Sequence, residues 1–151
     1  ERVLNSNPGY LTALNGRDIA LGARSNVLFA QGRLSESLVA AKESEAAYES
    51  YVELNRNAGV AWGNLVGARS RVADRLLSLG RRREAIEAWR HALEVERSVP
   101  LSSSLANNLS RMAAGVAIWE ADAGNFAAAE KAVAESERLF TRAGRDESQE
   151  G

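Results

Sequence analysis

Three glycines, Gly32, Gly80 and Gly124, each separate two long segments whose apolar residues recur at helical spacing, and this restricts the chain to a succession of helix pairs. The run Leu79-Gly80-Arg81-Arg82-Arg83-Glu84-Ala85-Ile86-Glu87-Ala88-Trp89-Arg90-His91-Ala92-Leu93 carries the signature most fully. A single pair cannot enclose a core. Neighbouring pairs must share one extended surface, so the expected role is to hold a partner.

Spacing within the chain supports a repeat. The turn glycines lie 48 and then 44 residues apart, while Pro8 to Gly32 and Pro100 to Gly124 both span 24. The tetrapeptide Gly-Ala-Arg-Ser occurs at residues 22–25 and again at 67–70, an offset of 45. This differs from the glycine offset by nearly one helical turn, which keeps the same face inward.

Local signals predict six helices. Asn7 caps the first, with Pro8 in its opening turn, and that helix runs to about Gln31. Ser35 caps a second, carrying Leu38, Ala41, Tyr48 and Val52 and fading near Asn55. After a loop over residues 56–59, the third carries Trp62, Leu65, Val72, Leu76 and Leu79, and the fourth spans roughly Arg83 to Ser98. Pro100, with Ser102 to Ser104 as caps, precedes a fifth built on Leu105, Leu109, Met112, Val116 and Trp119. The sixth packs Phe126, Ala129, Ala132, Val133, Leu139 and Phe140 and ends at Gly144 in a left-handed cap. Residues 145–151 are polar, a tail expected to fray or be disordered.

Counting on from Gly80, Ala85 and Ala92 are small, and Ile86, Trp89 and Leu93 fill the same face. This resembles the second helix of a tetratricopeptide repeat, which alternates small and large residues so that it packs closely on its neighbours. Around Gly124 the matching residues are Ala129, Val133 and Ser136, and around Gly32 they are Ser37, Leu38, Ala41 and Ser44. The resemblance implies a right-handed all-α solenoid of three long antiparallel hairpins over residues 1–144, with repeats at about 8–55, 56–99 and 100–144. The period of 44 to 48 residues exceeds the family's usual 34. It is similar to a long-repeat variant found in bacterial multidomain proteins. The first helices depart from the family pattern, with Arg24, Ser25 and Asn26 in one and Arg69, Val72 and Ala73 in the next.

The resemblance also implies a concave groove lined by the first helix of each pair, with groove positions at Asn26, at Ser70 and Asp74, and at Ala114 and Ile118, flanked by Arg71 and Arg111. Gly22 stands where the clamp-bearing members carry a lysine. Asn64-Leu65 and Asn108-Leu109 recur 44 residues apart, with Asn15 near the corresponding level, and asparagine gains little inside a helix. These amide, carboxylate and guanidinium groups suit an extended protein or peptide partner. A structural spacer or self-associating module, the open ends burying against another copy, is the alternative.

Other function classes find less support. A net charge of -1 over 151 residues gives no field that draws the chain onto nucleic acid or an anionic membrane. Arg81 to Arg83 lack a wider basic face with interleaved aromatics, so they read as a solvated turn. His91 is the one histidine; beside Glu84, Glu87 and Glu94 it reads as a solvated face with helical ion pairs, not a metal site. Trp62, Trp89, Trp119, Tyr48 and Phe140 follow the apolar stripes and are expected in the core. Gly63, Gly67 and Gly115 suggest close helix approach. No phosphate loop, nucleophile elbow or catalytic triad is present, so neither an enzyme nor a cofactor is expected. No uncharged apolar run approaches the roughly 20 residues of a membrane span. Without cysteine the compartment stays open between cytoplasm, the expectation, and periplasm. The opening residues, Glu1 to Pro8, read as the end of a preceding helix and hence a piece of a longer protein.

Overall fold

The computed structural model describes residues 8–54, 59–97 and 102–147. Among them lie the helices α1 (Pro8–Ala30), α2 (Leu34–Leu54), α3 (Gly59–Ser78), α4 (Arg82–Leu93), α5 (Ser103–Asp122) and α6 (Phe126–Glu147), with a 3-10 turn over Glu94–Arg97 and no strand. The fold is all-α. Each helix packs chiefly on its neighbours in the chain, and α3 also touches α5.

The three glycines make the turns. Gly32, Gly80 and Gly124 have φ of 73°, 73° and 80°, a left-handed conformation that L-residues with a Cβ rarely adopt. The backbone closes the same way each time: Gly32 N–H donates to Phe29 and Arg33 N–H to Leu28, Gly80 to Leu77 and Arg81 to Leu76, Gly124 to Ala121 and Asn125 to Glu120. These paired bonds satisfy carbonyls that a helix end otherwise leaves open. Behind the first two turns an arginine grips a glutamate three residues on, Arg33 to Glu36 and Arg81 to Glu84, each through two N–H donors.

Helix pairing is symmetric about each glycine. Seven residues before it and five after stand Ser25 and Ser37, Ala73 and Ala85, and Ala117 and Ala129, all buried. Fourteen before and twelve after stand Asp18 and Ser44, Val66 and Ala92, and Ser110 and Ser136, of which only Ser136 is merely half-buried. Small side chains bring the helix axes close enough for direct polar contact. Ser25 and Ser37 each donate to the other's carbonyl at 2.9 and 2.7 Å, and Ser110 and Ser136 repeat the exchange at 3.0 and 2.9 Å.

The main core joins Leu38 and Ala41 of α2, Val66, Val72, Ala73 and Leu76 of α3, Ala85, Ile86, Trp89 and Ala92 of α4, Leu105, Leu109, Met112 and Val116 of α5, and Leu139 of α6. A smaller cluster sets Tyr48 and Val52 of α2 against Ala61, Leu65 and Ala68 of α3.

Several expectations are corrected. Ser35 lies inside α2, which begins one residue earlier, because Leu34 is already helical after the glycine turn. The fourth helix stops at Leu93 and tightens into the 3-10 turn. At the other end, α6 runs through Gly144, which has no left-handed conformation, so no cap forms there. Phe126, Val133 and Phe140 are not core residues: they remain 69, 46 and 66% exposed. Gly63 and Gly67 meet nothing within 4 Å, so no backbone approach explains them. Ser102 does cap α5, its hydroxyl accepting from Leu105 N–H at 3.2 Å. The Asn7 cap, the loop over residues 56–58, Pro100 and the tail beyond Glu147 lie outside the described residues.

Ala85 is fully buried and Glu87 exposed on the same helix. Ala85→Leu is expected to overpack the α3–α4 contact and cost about 1 to 3 kcal/mol in denaturant unfolding, against less than about 0.5 kcal/mol for Glu87→Ala.

Candidate functional site

On α3, Val66, Gly67, Ser70 and Asp74 recur at three- and four-residue intervals; on α5, Asn108, Arg111, Met112 and Gly115 do the same. The two stripes form the walls of a cleft of about 400 Å³, and Trp89 of α4 supplies its floor. The indole is fixed from two sides: a Cβ added at Gly115 would meet it at 3.5 Å, and its centroid lies 6.2 Å from that of Trp119 in a tilted pair. Gly67, with open space above its Cα, widens the entrance.

Among the described residues no salt bridge or side-chain hydrogen bond engages the Asp74 carboxylate or the Arg111 guanidinium. Asp74 is solvent-accessible, yet the surrounding protein crowds its carboxyl and raises its pKa above the usual 3.8, against the pull of Arg75 and Arg71. No ion pair joins Asp74 to Arg111 among the described residues. An acceptor and a donor thus stand on opposite walls over an aromatic floor, with Ser70 and Asn108 beside them.

Of the residues expected in a groove, the structure brings Ser70, Asp74, Asn108 and Arg111 together in this cleft. The others lie elsewhere. Asn26 accepts from Arg75 Nη2 at 2.7 Å and is already occupied. Arg71 turns towards α1, its guanidinium 3.0 to 3.3 Å from the Cβ that Gly22 lacks, with Nη1 buried and unbonded. Asn64 is half-buried on α3 outside the cleft lining, and the side chain of Asn15 lies outside the described residues. No hydrogen bond links Asn64 to Asn108 among the described residues.

Two arginines missed as structural centres organise the first half of the chain. Arg75 is buried, donates to Ser37 Oγ at 2.8 Å and to Asn26, and covers the Phe29 ring at 4.0 Å, so it ties α3 to the α1–α2 pair. Burial lowers its pKa, but a guanidinium remains charged. Arg69 is also buried. It reaches Glu45 at 3.5 Å and Glu49 at 2.9 Å on α2 and donates to the His91 carbonyl on α4 at 3.0 Å.

Glu45, Glu49 and the His91 ring have ligand atoms within 4.8 Å of one another, a set that sequence spacing hides because its members come from two helices. Arg69 already neutralises both carboxylates, so the cluster reads as an ion-pair hub. Burial raises the Glu45 pKa, Glu49 raises it further, and Arg69, His91 and Lys42 oppose them.

No family model matches the sequence, and no curated protein matches it. No helix among the described residues is long and apolar enough to cross a membrane.

Replacing Arg69 tests the hub. Arg69→Leu removes the cation that opposes the burial of Glu45 and its repulsion by Glu49, which pushes the already raised Glu45 pKa further up. The loss, about 1 to 3 kcal/mol, is therefore expected to be full above the raised Glu45 value and to shrink as pH falls through it towards the ordinary carboxylate range. Paired denaturant melts of both proteins at neutral and acidic pH measure it.

Proposed function

We propose that this chain is a non-catalytic interaction segment, its helix pairs forming a right-handed tetratricopeptide-like solenoid, and that it holds an extended peptide from a protein partner in the cleft between α3 and α5. The observation carrying this reading is the placing of Asp74 and Arg111, which form no ion pair with each other among the described residues, beside the Trp89 floor and the open Gly67.

Each group has a task in such a complex. Asp74 accepts from a cationic side chain or an N-terminal amine of the peptide, while Arg111 donates to a carboxylate or main-chain carbonyl. Ser70 and Asn108 bond to the peptide backbone, whose hydrogen-bonding groups lose water on entry and need partners. Trp89 takes one apolar side chain, and the small residues admit the main chain. The match of Ala85, Ala92, Ala129 and Ser136 to the family's small positions supports the solenoid reading, and their burial or half-burial supports it further.

A random peptide display selected on the chain provides the test. Selected peptides are expected to bind Asp74→Lys/Arg111→Glu at least about ten-fold more weakly, equivalent to about 1.4 kcal/mol. Their affinity is expected to fall as acidification protonates Asp74, because a peptide cation favours the carboxylate. Equal affinity for both proteins rules out the cleft.

A further inference from the structure

The outer face of α6 is uncovered, and the chain itself indicates what fits there. Six, nine and sixteen residues beyond Gly32 stand Leu38, Ala41 and Tyr48; six and nine beyond Gly80 stand Ile86 and Trp89. All five are buried. The helix that follows covers them: Tyr48 shares its cluster with Ala61, Leu65 and Ala68 of α3, and Trp89 meets Gly115 and Trp119 of α5. At the same counts beyond Gly124 stand Glu130, Val133 and Phe140, and all three are exposed. Glu130 and Val133, with Phe126, Glu137 and Ile118, border an apolar groove of about 560 Å³ between α5 and α6, and Phe140 lies exposed further along α6. Nothing else in the described chain reaches it.

The opposite end carries the complementary surface. Leu65, Ala68 and Val72, the face of α3 turned to α2, lie fifteen, twelve and eight residues before Gly80. The same counts before Gly32 give Arg17, Ala20 and Arg24 on α1, all exposed, followed by Val27, 56% exposed. Arginine thus replaces the apolar residues on α1, and glutamate interrupts the apolar stripe on α6. Arg17 and Arg24 are seven residues apart, as are Glu130 and Glu137. Antiparallel docking in the α2–α3 register sets Phe140 against Arg17 and Val133 against Arg24, with Glu137 and Glu130 each within about one turn of an arginine.

We infer that α6 of one copy binds α1 of a second in a head-to-tail contact, repeating between molecules the packing that α3 makes on α2 and α5 on α4. Phe126, Val133 and Phe140 close over Ala20 and Val27 of the second copy, with the two ion pairs at the edges. Such a contact joins two different surfaces, so it leaves a free α1 at one end and a free α6 at the other. It uses neither Asp74 nor Arg111, so it is independent of the cleft.

The experiment is sedimentation of the chain over a concentration series up to its solubility limit. The mean mass is expected to rise continuously above the 16.3 kDa monomer and to fall back with added salt. Glu130→Arg/Glu137→Arg leaves both ends basic, and Arg17→Glu/Arg24→Glu leaves both acidic. Either variant is expected to weaken association at least about ten-fold alone, and an equimolar mixture of the two to restore it. Thermal melts confirm that each variant stays folded. A monomer at every concentration overturns the inference, as does association that the α1 variant leaves unchanged, which would mean that α6 faces pair with each other. Failure of the mixture to recover also overturns it.

Discussion

The close approach of paired helices at their small residues is the constraint on which the rest depends. With serine or alanine seven residues before and five after each turn glycine, the two axes come near enough for serine hydroxyls to reach across to main-chain carbonyls. That approach sets the rotation of both helices. Once α3 and α4 are locked through Ala73 and Ala85, Trp89 is turned towards α5, and the stripe carrying Gly67, Ser70 and Asp74 is left facing outward. A left-handed residue at the turn is the condition for this, because a Cβ there would strain the reversal that aligns the two contact points.

The two halves of the molecule are joined by different chemistry. Between α1, α2 and α3 the contacts are rich in polar groups: Arg75 links Ser37 and Asn26, Arg69 links α2 to α4, and the buried Asp18 carboxylate has no hydrogen-bond partner among the described residues. Burial raises the Asp18 pKa, with Arg17 opposing, so the folded state tolerates the neutral carboxyl better than the charged one. Between α4 and α5 the contact is mostly aromatic and aliphatic, centred on Trp89, Met112 and Val116, with Arg82 over the Trp119 ring at 4.8 Å and Arg90 paired to the buried Glu120. Hydrogen-bonded interfaces specify geometry, whereas apolar ones supply most of the burial free energy.

Much of this order is legible in the sequence. The turn glycines, the helix succession, the Ser102 cap and the burial of Ala85, Ala92, Leu65 and Leu109 follow from local periodicity and backbone preference. Helix ends at Ser35, Leu93 and Gly144 were misplaced by local signals, and the other failures depended on long-range neighbours. An apolar stripe such as Phe126, Val133 and Phe140 looks the same whether or not another helix follows, so the sequence pattern read as core. The linking roles of Arg69 and Arg75 had no local signal, because their partners lie at least 20 residues away on other helices. The cleft was half legible: the family resemblance pointed to Ser70, Asp74 and Arg111 and the 44-residue recurrence to Asn108, but only packing decides that Arg71, one residue on from Ser70, points towards Gly22.

Because each helix packs chiefly on the helices next to it in sequence, almost every stabilising contact closes a short loop of chain. Short loops form quickly and cost little entropy, so the rate of folding depends on pairing neighbours and not on bringing the two termini together. Loss of structure has the same grain. Helices packed so locally can separate at one junction while the others stay intact, and the sparser junction between α4 and α5 is where such opening costs least. A molecule built this way is most easily remodelled where its second and third pairs meet.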